Sequence, residues 1–226
     1  MRLVVIALAV AAAAFAADVN IHAAGGGGSH FAPSSNAPGT TELSWDNGTW
    51  KYLVWWTTGE GSWVGNDFDL STVNGTRLEK VRLLSSAQWP NDSWEGFNLA
   101  LYDLRTGTPG SMMWPASGEG SYYKPAGVTG TAWVEVPVGW VTTAPKFVAA
   151  VEQFYNHPNC DPFAVDTNPT FLKHSWMYCA GIPWRYMTEV ASDPYFNLML
   201  RLTVSDGVGR GVAVPTSWGR IKAAYY

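Results

Sequence analysis

Charge is the first thing this chain lacks. Only 14% of its 226 residues are charged, and the formal balance is −4 with no Lys/Arg cluster. A surface of that kind has no basic stripe to neutralise phosphates, which argues against nucleic acid as a partner. Cysteine is nearly absent, with two in total. Short catalytic and nucleotide signatures are missing too: no G-x-S-x-G elbow, no H-E-x-x-H, no Walker A loop and no Rossmann fingerprint. The glycines at 59, 61 and 65 and at 207, 209 and 211 are wrongly spaced for a phosphate loop. Beyond the first sixteen residues no stretch is long and apolar enough to span a bilayer.

What is present begins with MRLVVIALAVAAAAFA. One Arg, a short apolar run and Ala14-Phe15-Ala16 form the pattern of a secretory signal cleaved after Ala16. The run is too short for a membrane anchor, so residues 1–16 predict export. Residues 17–41 read as a linker, with AGGGGS followed by APSSNAPGTT. From 42 to 205 the texture changes to short apolar runs punctuated by Gly, Pro, Asn and Asp. No dozen-residue segment carries a 3.6-residue period. The body is therefore expected to be all-β, a two-layer antiparallel sandwich of about eight to ten strands. Residues 206–226 form a C-terminal tail.

The clearest alternations are WEGFNLALYDL (94–104) and YFNLMLRLTV (195–204). The first places Phe97, Leu99 and Leu101 on one face, and the second places Phe196, Leu198, Leu200, Leu202 and Val204 on one face. Residues 77–85, 132–138 and 146–155 predict further strands, with turns at Asn74-Gly75, Gly107-Thr108-Pro109-Gly110 and Ala126-Gly127. In LSWDNGTWKYLVWW the same period puts Trp55 and Trp56 on opposite faces, Trp56 sharing one with Tyr52 and Val54.

Residues 44–204 resemble an uncharacterised family of secreted bacterial β-sandwich accessory modules. The resemblance rests on Trp45-Asp46-Asn47-Gly48-Thr49, on FNLALYDLRTGTPG, on Trp133-Val134-Glu135-Val136 and on Phe147 to Glu152. Ser175-Trp176-Met177-Tyr178, Trp184 and Leu198 to Leu202 complete it. It implies a jelly-roll-like, carbohydrate-binding-module-like fold without catalysis and carries no catalytic residue across. The end, SWGRIKAAYY (217–226), is similar to tails of other exported bacterial proteins. That implies a sorting or surface-assembly tag, against the plain alternative of a docked terminal segment.

Chemistry-bearing residues are few. Cys160 and Cys179, an even pair in an exported chain, predict a disulfide that would contribute about 3 kcal/mol by the chain-entropy model. The alternatives are a two-His, two-Cys metal set with His157 and His174, or a Cys nucleophile with a His base. Asp67, Asp69, Asp161 and Asp166 are candidate oxygen ligands for a structural Ca²⁺, with turn capping as the plainer role. Glu60, Glu95 and Glu119 sit in Gly-rich or aromatic surroundings, and a pair of carboxyls across a cleft is what a glycoside hydrolase would need. No cofactor is required for so apolar a chain to fold.

Aromatics are the surplus: thirteen Trp. Trp89, Trp94 and Trp114 lie in loop-like stretches, as do Tyr122 and Tyr123. Exposed rings of this kind suit stacking on sugar C–H faces, so these five are the predicted ligand platform. The expected function is a secreted, non-catalytic module for a polysaccharide or other cell-surface polymer. A structural or adhesive surface component is the alternative, and a jelly-roll glycoside hydrolase or lyase the third reading.

Overall fold

A computed structural model describes residues 19–23, 39–56, 61–73, 75–86, 96–115, 121–122, 130–153, 155–156, 160–167, 173–179, 182–189 and 196–206. The first eight strands are β1 (Val19–Ala23), β2 (Thr40–Leu43), β3 (Tyr52–Trp56), β4 (Trp63–Asp69), β5 (Arg77–Ser86), β6 (Phe97–Asp103), β7 (Met112–Trp114) and β8 (Ser121–Tyr122). There follow β9 (Thr131–Val141), β10 (Lys146–Gln153), β11 (Phe163–Asp166), β12 (Ser175–Cys179), β13 (Ile182–Tyr186), β14 (Asn197–Leu198) and β15 (Leu200–Ser205). Ten of the fifteen have five residues or more. The rest are short edge or fork pieces that leave little alternation to read.

The strands form two antiparallel sheets, the sandwich that alternation predicts. Sheet A runs β1-β3-β11-β5-β15-β2, and off this path β9 also pairs with β5 and β14 with β11. Sheet B runs β13-β12-β4-β10-β6-β7, with β8 also on β6. Val19–Ala23 lies within the stretch read as linker, yet it pairs along its whole length with β3. Five residues are too few for alternation to stand out beside a glycine run.

The inner faces carry the residues that alternation selects. Phe97, Leu99 and Leu101 from sheet B meet Leu198, Leu200, Leu202 and Val204 from sheet A in one core. Phe163 bridges the layers, edge-on to Trp56 at 6.3 Å and to Phe97 at 6.3 Å. Each fully buried large apolar side chain contributes roughly 1.5–3 kcal/mol. A bulge between Leu78 and Lys80 shifts the register, so Leu78 and Val81 both point inward although three residues apart.

Sheet A forks at Met199. Its N–H donates to Ala164 and its carbonyl accepts from Leu84, so the chain passes here from β11 to β5. The fork frees the carbonyls of Leu198 and Leu200, and the buried Asn66 of sheet B donates to both, at 2.8 and 3.1 Å. Ser175 completes the clamp: its hydroxyl donates to Asn66 Oδ1 and accepts from Leu198 N–H. Such a buried amide tolerates its position because its polar atoms are satisfied.

Candidate ligand-binding face

The outer face of sheet B carries aromatics where water-facing polar residues are the norm. Sheet period puts Trp63, Gly65 and Asp67 of β4 outward, beside Glu152, Ala150 and Val148 of β10. Asn98, Ala100 and Tyr102 of β6 lie beyond them. On the other side β12 contributes Trp176 and Tyr178, and β13 contributes Trp184 and Tyr186. Ala100, Ala150 and Gly65 are buried in the sheet centre, so a floor of small residues lets the large rings lie over it. At Gly65 a Cβ would overlap the Ala149 carbonyl oxygen and stand 2.6 Å from Ala150 Cα. Only glycine fits there.

The rings form a connected layer. Tyr178 meets Trp184 at 5.5 Å, Trp184 meets Tyr102 at 5.2 Å, and Tyr102 meets Trp63 at 5.6 Å. Trp176 and Tyr186 make a second pair at 4.0 Å. Trp176 is buried, whereas Trp63, Tyr102, Tyr178, Trp184 and Tyr186 are half-buried. Each of those five therefore keeps some surface in reach of a ligand.

Two polar stations fringe this layer. Glu152 accepts from Asn98 Nδ2 at 2.7 Å and from Gly61 N–H at 2.6 Å, which fixes its carboxylate beside Trp63. At the other end Asp67 Oδ1 lies 2.7 Å from His174 Nδ1, and Oδ2 accepts from the Trp176 indole at 3.0 Å. Lys173 takes a left-handed φ of 58° just before His174 and sets its ammonium over the Tyr186 ring at 5.8 Å. The His174 ring stacks on Trp45 with centroids 3.6 Å apart and planes 6° from parallel. Burial, with Glu152 and Tyr178 nearby, pushes the Tyr102 hydroxyl far above its ordinary range. Burial, with Asp67 and Glu189, pushes Tyr186 up as well. Both phenols keep their protons at neutral pH and can both donate and accept, as sugar hydroxyls require.

Of the five predicted platform residues, the structure describes the side chain of Trp114 alone. Trp114 is opposite Leu101 on β7 and packs against the core between the sheets, so it is a core-edge residue and not a loop ring. The backbone of Tyr122 lies opposite Phe97 at the edge of sheet B. Trp89, Trp94 and Tyr123 lie outside the described residues, as do Glu60, Glu95, Glu119 and His157. The sequence signal for the observed layer is aromatic period-2 spacing, in Trp176-x-Tyr178 and Trp184-x-Tyr186. A loop-centred search passes over it because strand aromatics are expected in cores.

The Asp candidates are dispersed into separate tasks. Asp67 binds His174 and Trp176. Asp69 accepts from Ser71 N–H at 2.9 Å and faces Lys146 at 3.3 Å, and the Ser71 bonds hold its carboxyl below the usual range. Asp166 accepts from Asn47 N–H at 2.7 Å, and Asp161 is buried elsewhere beside Cys160. Among the described residues no group of three or more His, Cys, Asp or Glu is placed to hold a metal ion.

The expected disulfide is corrected by the structure: Cys160 and Cys179 are both free and buried. Cys160 packs with Leu53, Trp55, Leu84, Ala164 and Met199 on the outer side of sheet A. Cys179 belongs to the core between the sheets, where its Sγ accepts from the Trp56 indole at 3.1 Å. A layer of sheet thus separates the two side chains. His174 instead meets Asp67 on sheet B.

A second aromatic–ionic cluster covers the outer face of sheet A. Trp133 lies under Arg82 at 4.9 Å and Arg201 at 4.6 Å, while Glu42 pairs with both guanidiniums. Its charges are spent on one another, which makes it scaffold. No family model matches this chain, and no match is found among curated proteins or solved structures.

Proposed function

We propose that this protein binds glycan through the outer face of sheet B, as an exported module. The observation that carries the reading is the connected, half-buried ring layer Tyr178–Trp184–Tyr102–Trp63. Half-buried aromatics on a rigid sheet offer apolar faces to sugar C–H groups at little conformational cost. Asn98, Glu152, Tyr102 and Tyr186 supply hydrogen-bonding atoms beside those faces. The carboxylates of Asp67 and Glu152 stand at the fringe, so an uncharged sugar is favoured over a uronic acid, which would meet like charge. The signal-like residues 1–16 support an extracellular setting.

Affinity electrophoresis against neutral and acidic polysaccharides tests the proposal. At least one neutral polymer should retard the wild type, and Trp63→Ala and Trp184→Ala should each lose most of that retardation at an unchanged fold. If no polymer in the panel retards the protein, or if both variants are retarded as the wild type is, the reading fails.

A further inference from the structure

We infer, building on the glycan reading above, that the Glu152 end of this face is a subsite for a protonated amine, and that the polymer it binds carries free amino sugars. Glu152 is held by neutral donors alone. Its Oε1 accepts from Gly61 N–H at 2.6 Å and its Oε2 from Asn98 Nδ2 at 2.7 Å. An ionised carboxylate has about four acceptor positions, so each oxygen keeps one in reserve.

Among the described residues no Lys, Arg or His pairs with Glu152. The ion pairs of sheet B are Lys146 with Asp69, His174 with Asp67 and Arg105 with Asp103. All three stand toward the Asp67 end, where Lys173 adjoins His174. Glu152 is the register partner of Trp63, and Val148 that of Asp67, so about 13 Å of strand separates the two ends. By sheet period Arg185 turns away from Trp184 and Tyr186, and its charge acts on Cys179 in the core.

The surroundings of Glu152 are aromatic. Trp63 lies beside it on the same face, and Tyr102 meets Trp63 edge-on at 5.6 Å with planes 80° apart. The Tyr102 phenol feels the Glu152 charge, which places the carboxylate close to both rings. A negative charge half withdrawn from water, with no counter-ion, is completed by a cation. The neighbouring ring faces attract the same cation. An ammonium group brings three N–H donors and the missing charge. A hydroxyl or an N-acetylated amine brings one donor and no charge. Neutral units still stack on the rings, so an acetylated polymer binds too, but less tightly.

Calorimetric titration with short glucosamine and galactosamine oligomers, each as free amine and fully N-acetylated, tests this in weakly acidic buffer. For at least one sugar the amine form should bind the wild type about tenfold more tightly, the equivalent of about 1.4 kcal/mol. In Glu152→Gln, which keeps an acceptor on the same stem, that ratio should fall below about threefold. Glu135→Gln removes the same charge from sheet A and should keep the preference. The two ligand forms are compared on the wild type itself, so that comparison survives misfolding of the glutamine variant. Equal binding of both forms overturns the inference and leaves the glycan reading standing. A preference that a folded Glu152→Gln retains also overturns it, as does one that Glu135→Gln loses, which would mark attraction to net charge. No binding of either form overturns it too: with some polysaccharide still retarded the glycan reading stands, and with none retarded both fall.

Discussion

Asp46 and Arg201 meet side-on in a buried pair, Nε donating to Oδ2 at 3.0 Å and Nη2 donating to Oδ1. Arg201 comes from β15, and Asp46 from the Trp-Asp-Asn-Gly-Thr turn after β2. Asp46 Oδ1 also accepts from Gly48 N–H at 2.9 Å, which shapes the turn. Gly48 takes the left-handed φ of 86° that this turn requires. Asp46→Ala would leave Arg201, whose side chain is 6% exposed, with Glu42 as its remaining carboxylate partner. The expected cost is about 3 kcal/mol, the lower end for a buried pair broken from one side. Urea unfolding checks it, and a loss below about 1 kcal/mol would mean that Glu42 suffices to hold Arg201.

Asp166 predicts an unusual direction of pH dependence. Burial, with the Asp46 charge nearby, outweighs the Asn47 hydrogen bond and lifts its pKa from 3.8 to about 6. The folded state therefore binds this proton more tightly than the unfolded chain does. The stabilisation it provides is complete below about pH 4 and is lost as the pH rises through about 6. Asp166→Asn keeps an acceptor for Asn47 and cannot titrate. The melting temperature of wild type minus that of Asp166→Asn should fall between pH 4 and pH 7. A difference that stays flat or rises would show that Asp166 is ionised throughout.

The two thiols give a chemical test of the packing. Burial pushes Cys160 up to about 12 and raises Cys179 as well. A thiol, not a thiolate, reacts slowly, and neither side chain reaches solvent. Native protein at pH 8 should show almost no reaction with a thiol reagent, and the unfolded chain should release two equivalents without prior reduction. Fewer than two would indicate a bond between them.

Strand alternation made the sandwich legible, because a half-buried strand writes its inner face at every second residue. Phe97-x-Leu99-x-Leu101 and Leu198-x-Leu200-x-Leu202 required no more than that. The Trp55 and Trp56 side chains also divide as the period predicts, into the outer and inner clusters of sheet A. What the alternation could not carry was long-range pairing. Nothing local says that Val19–Ala23 lies beside β3, or that Cys160 and Cys179 sit on different layers. The candidate face was hidden for another reason. Trp176, Tyr178, Trp184 and Tyr186 carry no local mark of which face they take, and only the sheet order, β13-β12-β4-β10-β6, brings them over Gly65 and Ala150.

Trp176 and Trp184 separate support from contact within that face. Trp176 is 4% exposed and donates its indole N–H to Asp67 at 3.0 Å, which holds the carboxylate that His174 also meets. Trp184 is half-buried and touches both Tyr102 and Tyr178. Trp176→Phe removes one hydrogen bond to a charged group, so it should cost about 1.5–3 kcal/mol of stability. Its effect on polysaccharide affinity should be less than about threefold, since its ring is not presented to solvent. Trp184→Ala should do the opposite, weakening affinity by about thirtyfold, the equivalent of about 2 kcal/mol for an aromatic anchor. Calorimetric titration with the retarding polymer and urea unfolding of the same samples measure both quantities. Equal losses of affinity in the two variants would mean that the face acts only through its fold, and the assignment of Trp184 as a ligand contact would fall.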